Sequence, residues 1–373
     1  MGLGGIIMAG STYGSFFKVS TWGESHGKAL GVVIDGCPAG IPLTEEDIQQ
    51  DMDRRKPGGS PFSTPRKESD KIEILSGVFD GKTTGTPISL VLYNTNQHSH
   101  DYSHLSECYR PGHADYSFDQ KYGFRDYRGG GRSSGRETAA RVAAGAVAKK
   151  LLKELEIDIL AYTLSIGDIK IDRSNFDATT INQNFLCMPD SAAAKKAEDF
   201  LHQVIASGDS AGGVIECVVT GLPAGVGEPV FEKLDAMLSK AIISIGAVKG
   251  IEFGSGFEAA KKLGSENNDF FEYDKDQTLN KLTNQAGGIT GGISDGFPVV
   301  LRAAFKPTPS ISRMQKTVNK QGENIDLSIK GRHDPIIVPR AVIVVEAMVA
   351  VTLVDYVMQR IFSRTDLIKK ALS

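Results

Sequence analysis

Cysteine is scarce in this chain. Its four cysteines (Cys37, Cys108, Cys187 and Cys217) stand far apart among 373 residues, with no CxxC pair. That pattern builds neither a zinc site nor a disulfide framework, and it suits a reducing compartment. Tryptophan is scarcer still: Trp22 stands alone, with no aromatic series for stacking bases. An excess of one charge is also missing, since 42 Lys and Arg face 45 Asp and Glu, for a net charge of -3 and a pI near 6.2. That balance argues against a general nucleic-acid binder. Long apolar runs are lacking as well. The most apolar segment, AVIVVEAMVAVTLV at residues 341–354, is shorter than a bilayer span, carries Glu346 inside it and reads as a buried core helix. The opening MGLGGIIMAGSTYG lacks the basic flank and apolar stretch of a secretory leader. Residues 1–7 read as an extension ahead of Met8, and the expected location is the cytoplasm. No His, Cys and Glu spacing suggests a bound metal, and no G-x-S-x-G elbow is present.

What the chain does have is glycine, 41 residues of it, clustered at turns between short strand-like runs. A 40% hydrophobic and 23% charged composition is that of a soluble globular protein, and the length allows one large domain or two ordinary ones. Enrichment in β-branched residues predicts strands at 30–36, 213–221 and 297–305. Helical periodicity predicts helices at 44–55, 137–155, 228–242 and 340–361. Residues 33–52 and 218–237 both read strand, G-x-P-A-G turn, acidic helix. Pro-Ala-Gly turns are common, but the shared order and spacing predict an internal repeat packed around one core. Residues 254–288 and 315–331 are polar with poor apolar period, and read as mobile loops over a site.

The most informative stretch is RDYRGGGRSSGRETAARVAAGAVAKKLL, residues 125–152. Its spacing nearly matches a P-loop, but Arg136 and Glu137 stand where Lys and Ser/Thr are needed, and a glutamate there would repel a triphosphate. Ser134 and Glu137 fit a capping box, followed by an apolar stripe rich in alanine. Capping alone leaves Arg132, Arg136 and Arg141 unexplained. Arginines added to a helix start that already favours anions suggest a multiply charged ligand. Other basic points are Arg54, Arg55 and Lys56 before Pro57, Lys306 with Thr308 and Ser310, and Arg332 with His333 and Asp334. Cations at a helix end satisfy its dipole without any ligand, so each point is weak by itself. Together they describe an anion pocket furnished from several parts of the chain. His26 and His113 lie in glycine-flanked turns, where a side chain can approach a ligand.

The segments GESHGKALGVVIDGCPAG, RPGHADYSFDQKYGFRDYRGGGRSSGRETAARVAAGAVAKK and GRHDPIIVPRAVIVVEAM resemble the hallmark segments of the chorismate synthase family. RRKPGGSPFSTPRKESDKIEILSGVFDGKTTGTPI and FKPTPSI match between them, so the likeness runs from Met8 to about Ala371. The resemblance implies one domain over residues 8–373 with an α+β fold, a β-α-β sandwich enclosing a helical core, assembled as a homotetramer. It implies a lyase of the shikimate pathway that performs the 1,4-anti elimination of phosphate from 5-enolpyruvylshikimate 3-phosphate to give chorismate. Reduced FMN takes part without net redox change, and NADPH is a candidate reductant. By the same resemblance His26 acts as general acid on the leaving phosphate, His113 tunes the reduced flavin, and Asp334 assists removal of the ring proton. Flavin-contacting positions are Arg132, Ser133, Ser134, Gly246, Ala247, Gly291, Lys306, Pro307, Thr308, Pro309, Ser310 and Arg332. Arg54, Arg136 and Arg141 would hold substrate anions, and Arg55, also a candidate there, is linked with NADP. A planar guanidinium fork suits carboxylate and phosphate better than a point charge. Pro61 stands where some members carry a second NADP-associated arginine, which puts direct reduction by NADPH in question; Gly135 replaces a frequent alanine. An RNA-binding module built on the Arg/Gly loop, or an ordinary flavin oxidoreductase, are the competing readings.

Overall fold

The computed structural model describes residues 10–56, 58, 61–63, 69–94, 105–128, 130–329 and 334–373. The extension ahead of Met8, Pro57, Arg332 and His333 lie outside them. Two five-stranded sheets frame the molecule, and every strand pairing in them is antiparallel. The first runs, in spatial order, Thr12–Tyr13, Lys18–Gly23, Ala29–Asp35, Ile88–Tyr93, Ile72–Ser76. The second runs Val248–Phe253, Val299–Phe305, Gly213–Thr220, Asp158–Ile166, Ile169–Lys170. In Val299–Phe305 burial alternates residue by residue, so Val299, Leu301, Ala303 and Phe305 form the inner face.

Eight helices occur among the described residues: α1 (Glu45–Arg55), α2 (Asp115–Tyr122), α3 (Thr138–Glu154), α4 (Ser191–Ala206), α5 (Leu234–Ile243), α6 (Gly264–Asn267), α7 (Val338–Arg360) and α8 (Thr365–Leu372). Helices α1, α3, α5 and α7 pack against one another between the sheets, α3 on the first and α7 on the second. Their crossing is tight because α3 is built of small residues. At Gly145 a Cβ would stand 2.3 Å from the Cβ of Ala347 on α7, so no larger residue fits without separating the helices. By length and composition α7 could cross a membrane, but 89% of its apolar window is buried inside the fold. It is the central core helix, with Glu346 enclosed within it.

The repeat anticipated at the two Pro-Ala-Gly turns exists, and it reaches further than the turns. In the first half, Thr83 Oγ1 donates to Pro38 O at 2.6 Å and accepts from Ile41 N at 3.0 Å. In the second, Ser294 Oγ donates to Pro223 O at 2.7 Å and accepts from Val226 N at 2.9 Å. Each hydroxyl lies on a two-stranded hairpin (Val78–Phe79 with Lys82–Thr83, Ile289–Thr290 with Ile293–Ser294) that leads into a central strand and then a central helix. One architecture is therefore used twice around a shared core.

Three expectations change. The helix expected from residue 228 starts at Leu234, because Val230 takes a left-handed backbone (φ 65°) that interrupts any helix before it. The capping box does not close: Ser134 Oγ accepts from Arg136 N at 3.3 Å, a short 3-10 turn follows, and α3 begins at Thr138. The two segments read as loops carry structure of their own. Residues 254–288 hold a hairpin (Phe271–Tyr273 with Leu279–Lys281) tied down by Asp269, which accepts from Gln285 N at 2.6 Å and Ala286 N at 2.9 Å. Residues 315–327 form the hairpin Gln315–Val318 with Asn324–Leu327, over a small core of Leu105, Cys108, Leu327 and Ile329. Polar anchoring and so small a core leave no apolar period to read.

Candidate active site

The C-terminal end of α1 lies against the N-terminal ends of α3 and α7, and there the basic residues gather. Thr44 opens α1 with a capping box to Asp47, and the helix ends at Arg54 and Arg55. These neighbours point to different places. Arg55 is buried (2% exposed) and donates from Nη2 to Asp70 Oδ2 at 2.6 Å. Asp70 Oδ1 accepts a short bond from Arg136 Nη1, and Arg136 Nε donates to Asn94 Oδ1 at 3.0 Å. Arg340, at the start of α7, donates from Nε to the Arg55 carbonyl at 3.2 Å and from Nη1 to Asp334 Oδ2 at 2.7 Å. Three guanidiniums thus face two carboxylates, at the positive ends of two long helices.

The electrostatics follow from that packing. Burial pushes the Arg55 guanidinium down to about 10, and Arg340 and Arg136 push the same way while Asp70 opposes them. Burial alone would raise the Asp70 carboxyl; Arg55 and Arg136 outweigh it and hold the group below its ordinary value. Arg55 Nε and Arg136 Nη2 are buried with no hydrogen-bond partner among the described residues. A buried donor without an acceptor is costly, so these two mark where an anionic ligand is wanted.

Arg54 and Arg141 do not join the cluster. Arg54 closes its fork on Glu346, Nη1 to Oε2 at 2.7 Å and Nη2 to Oε1 at 2.8 Å, within a core network that includes Lys149. Arg141 pairs with Glu137 and donates to Ser244 Oγ at 2.6 Å, joining α3 to the end of α5.

A second group of loops adjoins the arginines through Asp334, whose carbonyl accepts from Thr308 Oγ1 at 2.7 Å. Lys306 donates from Nζ to Gly112 O at 2.5 Å and from its backbone to Ala247 O at 2.9 Å. Pro309 lies under Gly112 and Pro307 against Gly212, while Ser310 is half-buried. Ala247 keeps a left-handed backbone (φ 73°) directly after Gly246, a strained conformation held by the packing around it. His113, just after Gly112, lies across the glycine loop. At Gly130 (φ 92°) a Cβ would stand 3.1 Å and 3.2 Å from its Cε1 and Nε2, so only glycine lets the ring lie there. Ser133 Oγ closes the loop on Gly130 O at 2.7 Å. Where the chain enters that loop His26 is buried, with Nδ1 2.9 Å from the Arg128 carbonyl. A carbonyl only accepts, so Nδ1 carries the hydrogen.

Two flavin-linked positions are placed otherwise than their sequence suggests. The Arg132 guanidinium holds the end of the Lys18–Gly23 strand, donating to Gly23 O at 3.1 Å and Thr21 Oγ1 at 2.8 Å. Gly291 stands at a hairpin tip with open space where a Cβ would be, and its neighbour Gly292 packs on Glu228 and Lys233 near the start of α5, whereas Gly246 and Ala247 follow its end. Asp70, Asn94 and Arg340 escaped the sequence reading. Asp70 and Arg340 both lie inside segments that resemble the family's, Arg340 six residues after Asp334, but nothing in the local sequence singles out either of them or Asn94.

Comparison with known proteins bears on the family and the fold. The profile of the family described as Chorismate synthase matches residues 17–358. A chorismate synthase of Lachnoclostridium phytofermentans is 64% identical over 97% of this chain and 99% of its own length. One of Methanococcoides burtonii is 53% identical over 94% of this chain and 97% of its own. A solved chorismate synthase crystal structure superposes with a TM-score of 0.75 at 31% identity, covering 96% of this chain and 97% of the other. The chain therefore belongs to the chorismate synthase family of lyases.

Proposed function

We propose that the arginine pocket at the meeting of α1, α3 and α7 binds 5-enolpyruvylshikimate 3-phosphate, and that the loops beside it hold reduced FMN. The observation carrying this reading is the set of three guanidiniums gathered here, Arg55 and Arg136 on Asp70 and Arg340 on Asp334, the first two with buried donors still unmatched. A substrate with two carboxylates and a phosphate supplies acceptors in that number. Arg55, Arg136 and Arg340 are the anion holders on this reading. Arg55 is too enclosed to reach out to a nicotinamide nucleotide, and Arg54 and Arg141 act as core and helix ties.

The residues of the second group suit an anionic cofactor with a flat ring: Lys306, the turn from Pro307 to Ser310, Ser133 and Ser134, and the glycine face that His113 covers. Gly246 and Ala247 border the same segment, and Arg332 falls outside the described residues. Reduced FMN, when bound, supplies electron density to the allylic system and ends the reaction unchanged. His26, its Nδ1–H held by the Arg128 carbonyl, acts as the imidazolium: it gives its second proton, on Nε2, to the leaving phosphate as the C–O bond breaks and is left as the neutral Nδ1–H tautomer. Asp334, oriented by Arg340, takes up the ring proton at its carboxylate. The phosphate departs among the guanidiniums, which stabilise its charge.

An anaerobic assay of phosphate release and chorismate formation, with and without reduced FMN, tests this reading. His26→Ala should lower turnover by about two to four powers of ten while leaving flavin binding intact. Full turnover without flavin, or an unaffected His26→Ala enzyme, would refute it. Adding NADPH to the same assay asks whether a chain with Pro61 reduces its own flavin. A cytoplasmic location and a homotetramer belong to the same proposal. Exposed Phe257, Leu263, Phe270, Phe271 and Tyr273 on the 254–288 arm offer apolar surface for subunit contact, testable by light scattering.

A further inference from the structure

We propose that Asp115 is a positioning residue for His113: its carboxylate, clamped by Arg110, keeps the ring proton on Nδ1 and turns Nε2 toward the glycine loop. The inference rests on the reading that His113 borders the flavin ring, and it identifies the group that sets the protonation of that histidine.

Asp115 is the first residue of α2, yet it does not serve the helix as a cap. Its side chain is 2% exposed and receives three donors from one residue: Arg110 Nε at 2.7 Å, Nη2 at 2.8 Å and the backbone N at 3.1 Å. Arg125 backs it, with Nε 4.0 Å from Oδ1. So many donors leave the carboxylate a single orientation, and in it Oδ1 lies 3.0 Å from His113 Nδ1. The Nδ1–H direction is not aimed along that line, so Asp115 acts as a charge at close range and not as an aligned hydrogen bond. A proton on a neutral imidazole still prefers the nitrogen beside a carboxylate. The opposite edge of the ring, Nε2 and Cε1, faces Gly130.

Among the described residues, three charged groups bear most on the ring. Arg110 and Asp115 belong to its own turn, and Lys306 reaches over from the facing segment to Gly112 O. Burial lowers the basicity of His113 most. Asp115 opposes it, and Arg110 and Lys306 add to it, leaving the ring below its ordinary value. Among these groups Asp115 is the one that favours the imidazolium. Arg110 fixes that carboxylate in place and weakens its effect at the same time.

This arrangement makes a prediction of opposite signs for two variants that break the same ion pair. Deuterium exchange at the imidazole Cε1–H, followed by mass spectrometry against pH, reports the titration midpoint of an individual histidine in the full chain without flavin or turnover. In Asp115→Asn the midpoint of His113 should fall by one unit or more, since a facing charge at this range is worth about 1–3 units. In Arg110→Gln it should rise, because a repelling cation is lost and the carboxylate is released. Asp115→Glu, which keeps the charge, should move the midpoint back toward that of the unchanged protein. Mere loss of local structure would expose the ring and send both variants up toward about 6.5. Both midpoints rising, or neither moving, overturns the proposal. Titrating each variant with reduced FMN separates the two readings. If the midpoints shift oppositely while the flavin spectrum is indifferent, Asp115 positions His113 as stated and the flavin lies elsewhere.

Discussion

Asp70→Asn isolates the charge on which the arginine cluster is built. The carboxylate is fully enclosed, 2.6 Å from Arg55 Nη2 and in a short bond with Arg136. Asparagine keeps the shape and removes the charge, leaving a guanidinium that is 2% exposed without its counter-ion. Breaking a buried pair from one side costs about 3–5 kcal/mol, against total stabilities of about 5–15 kcal/mol, so the variant should fold but only marginally. The pH dependence follows from the depressed carboxyl. A carboxylate held below its ordinary value contributes stability that is present above the unfolded value of 3.8 and is lost as pH falls through the folded value. The gap between the parent protein and Asp70→Asn should therefore be fully open at pH 7 and close in acid, starting below pH 3.8. Urea denaturation from pH 7 down to about pH 3 measures it. Inorganic phosphate should restore part of the loss, about 2.7 kcal/mol at a hundred times its dissociation constant, by taking the place of the missing charge. A variant as stable as its parent at pH 7, or a gap unchanged in acid, would show that Asp70 does not carry the cluster.

Two further outcomes follow from the fold. Gly145→Ala gains about 1 kcal/mol of helix propensity, but the new methyl would stand 2.3 Å from Ala347 Cβ. Overpacking of about 1–3 kcal/mol should win and lower the melting temperature, whereas a rise would show that α3 and α7 separate easily. Lys281, 1% exposed, pairs with Asp295 at 2.7 Å and lies 3.6 Å from Asp269. Lys281→Ala should therefore speed hydrogen exchange across residues 269–297 while the sheets stay protected, and unchanged exchange there would make the ion pairs incidental.

By itself the sequence determined the parts that local chemistry decides. β-branched runs mark the strands Ala29–Asp35, Gly213–Thr220 and Val299–Phe305, and apolar periodicity marks α1, α3 and α7, to within a few residues. Matching G-x-P-A-G turns disclosed the repeat, because a turn needs the same residues wherever it occurs. That basic residues from several parts of the chain come together was legible too, in the arginines near the glycine loop and at the end of α1. Which arginines form the cluster was not. Arg54 and Arg55 are adjacent in α1, about 100° apart around the helix axis, and both faces are covered. Tertiary packing alone sends one to Glu346 in the core and the other to Asp70 at the site. The same holds for Asp70, which sits 66 positions from Arg136 and has no local signature. Its role exists only because the first sheet and the helix starts meet, burying Arg55 and Arg136 together so that a carboxylate must stand between them.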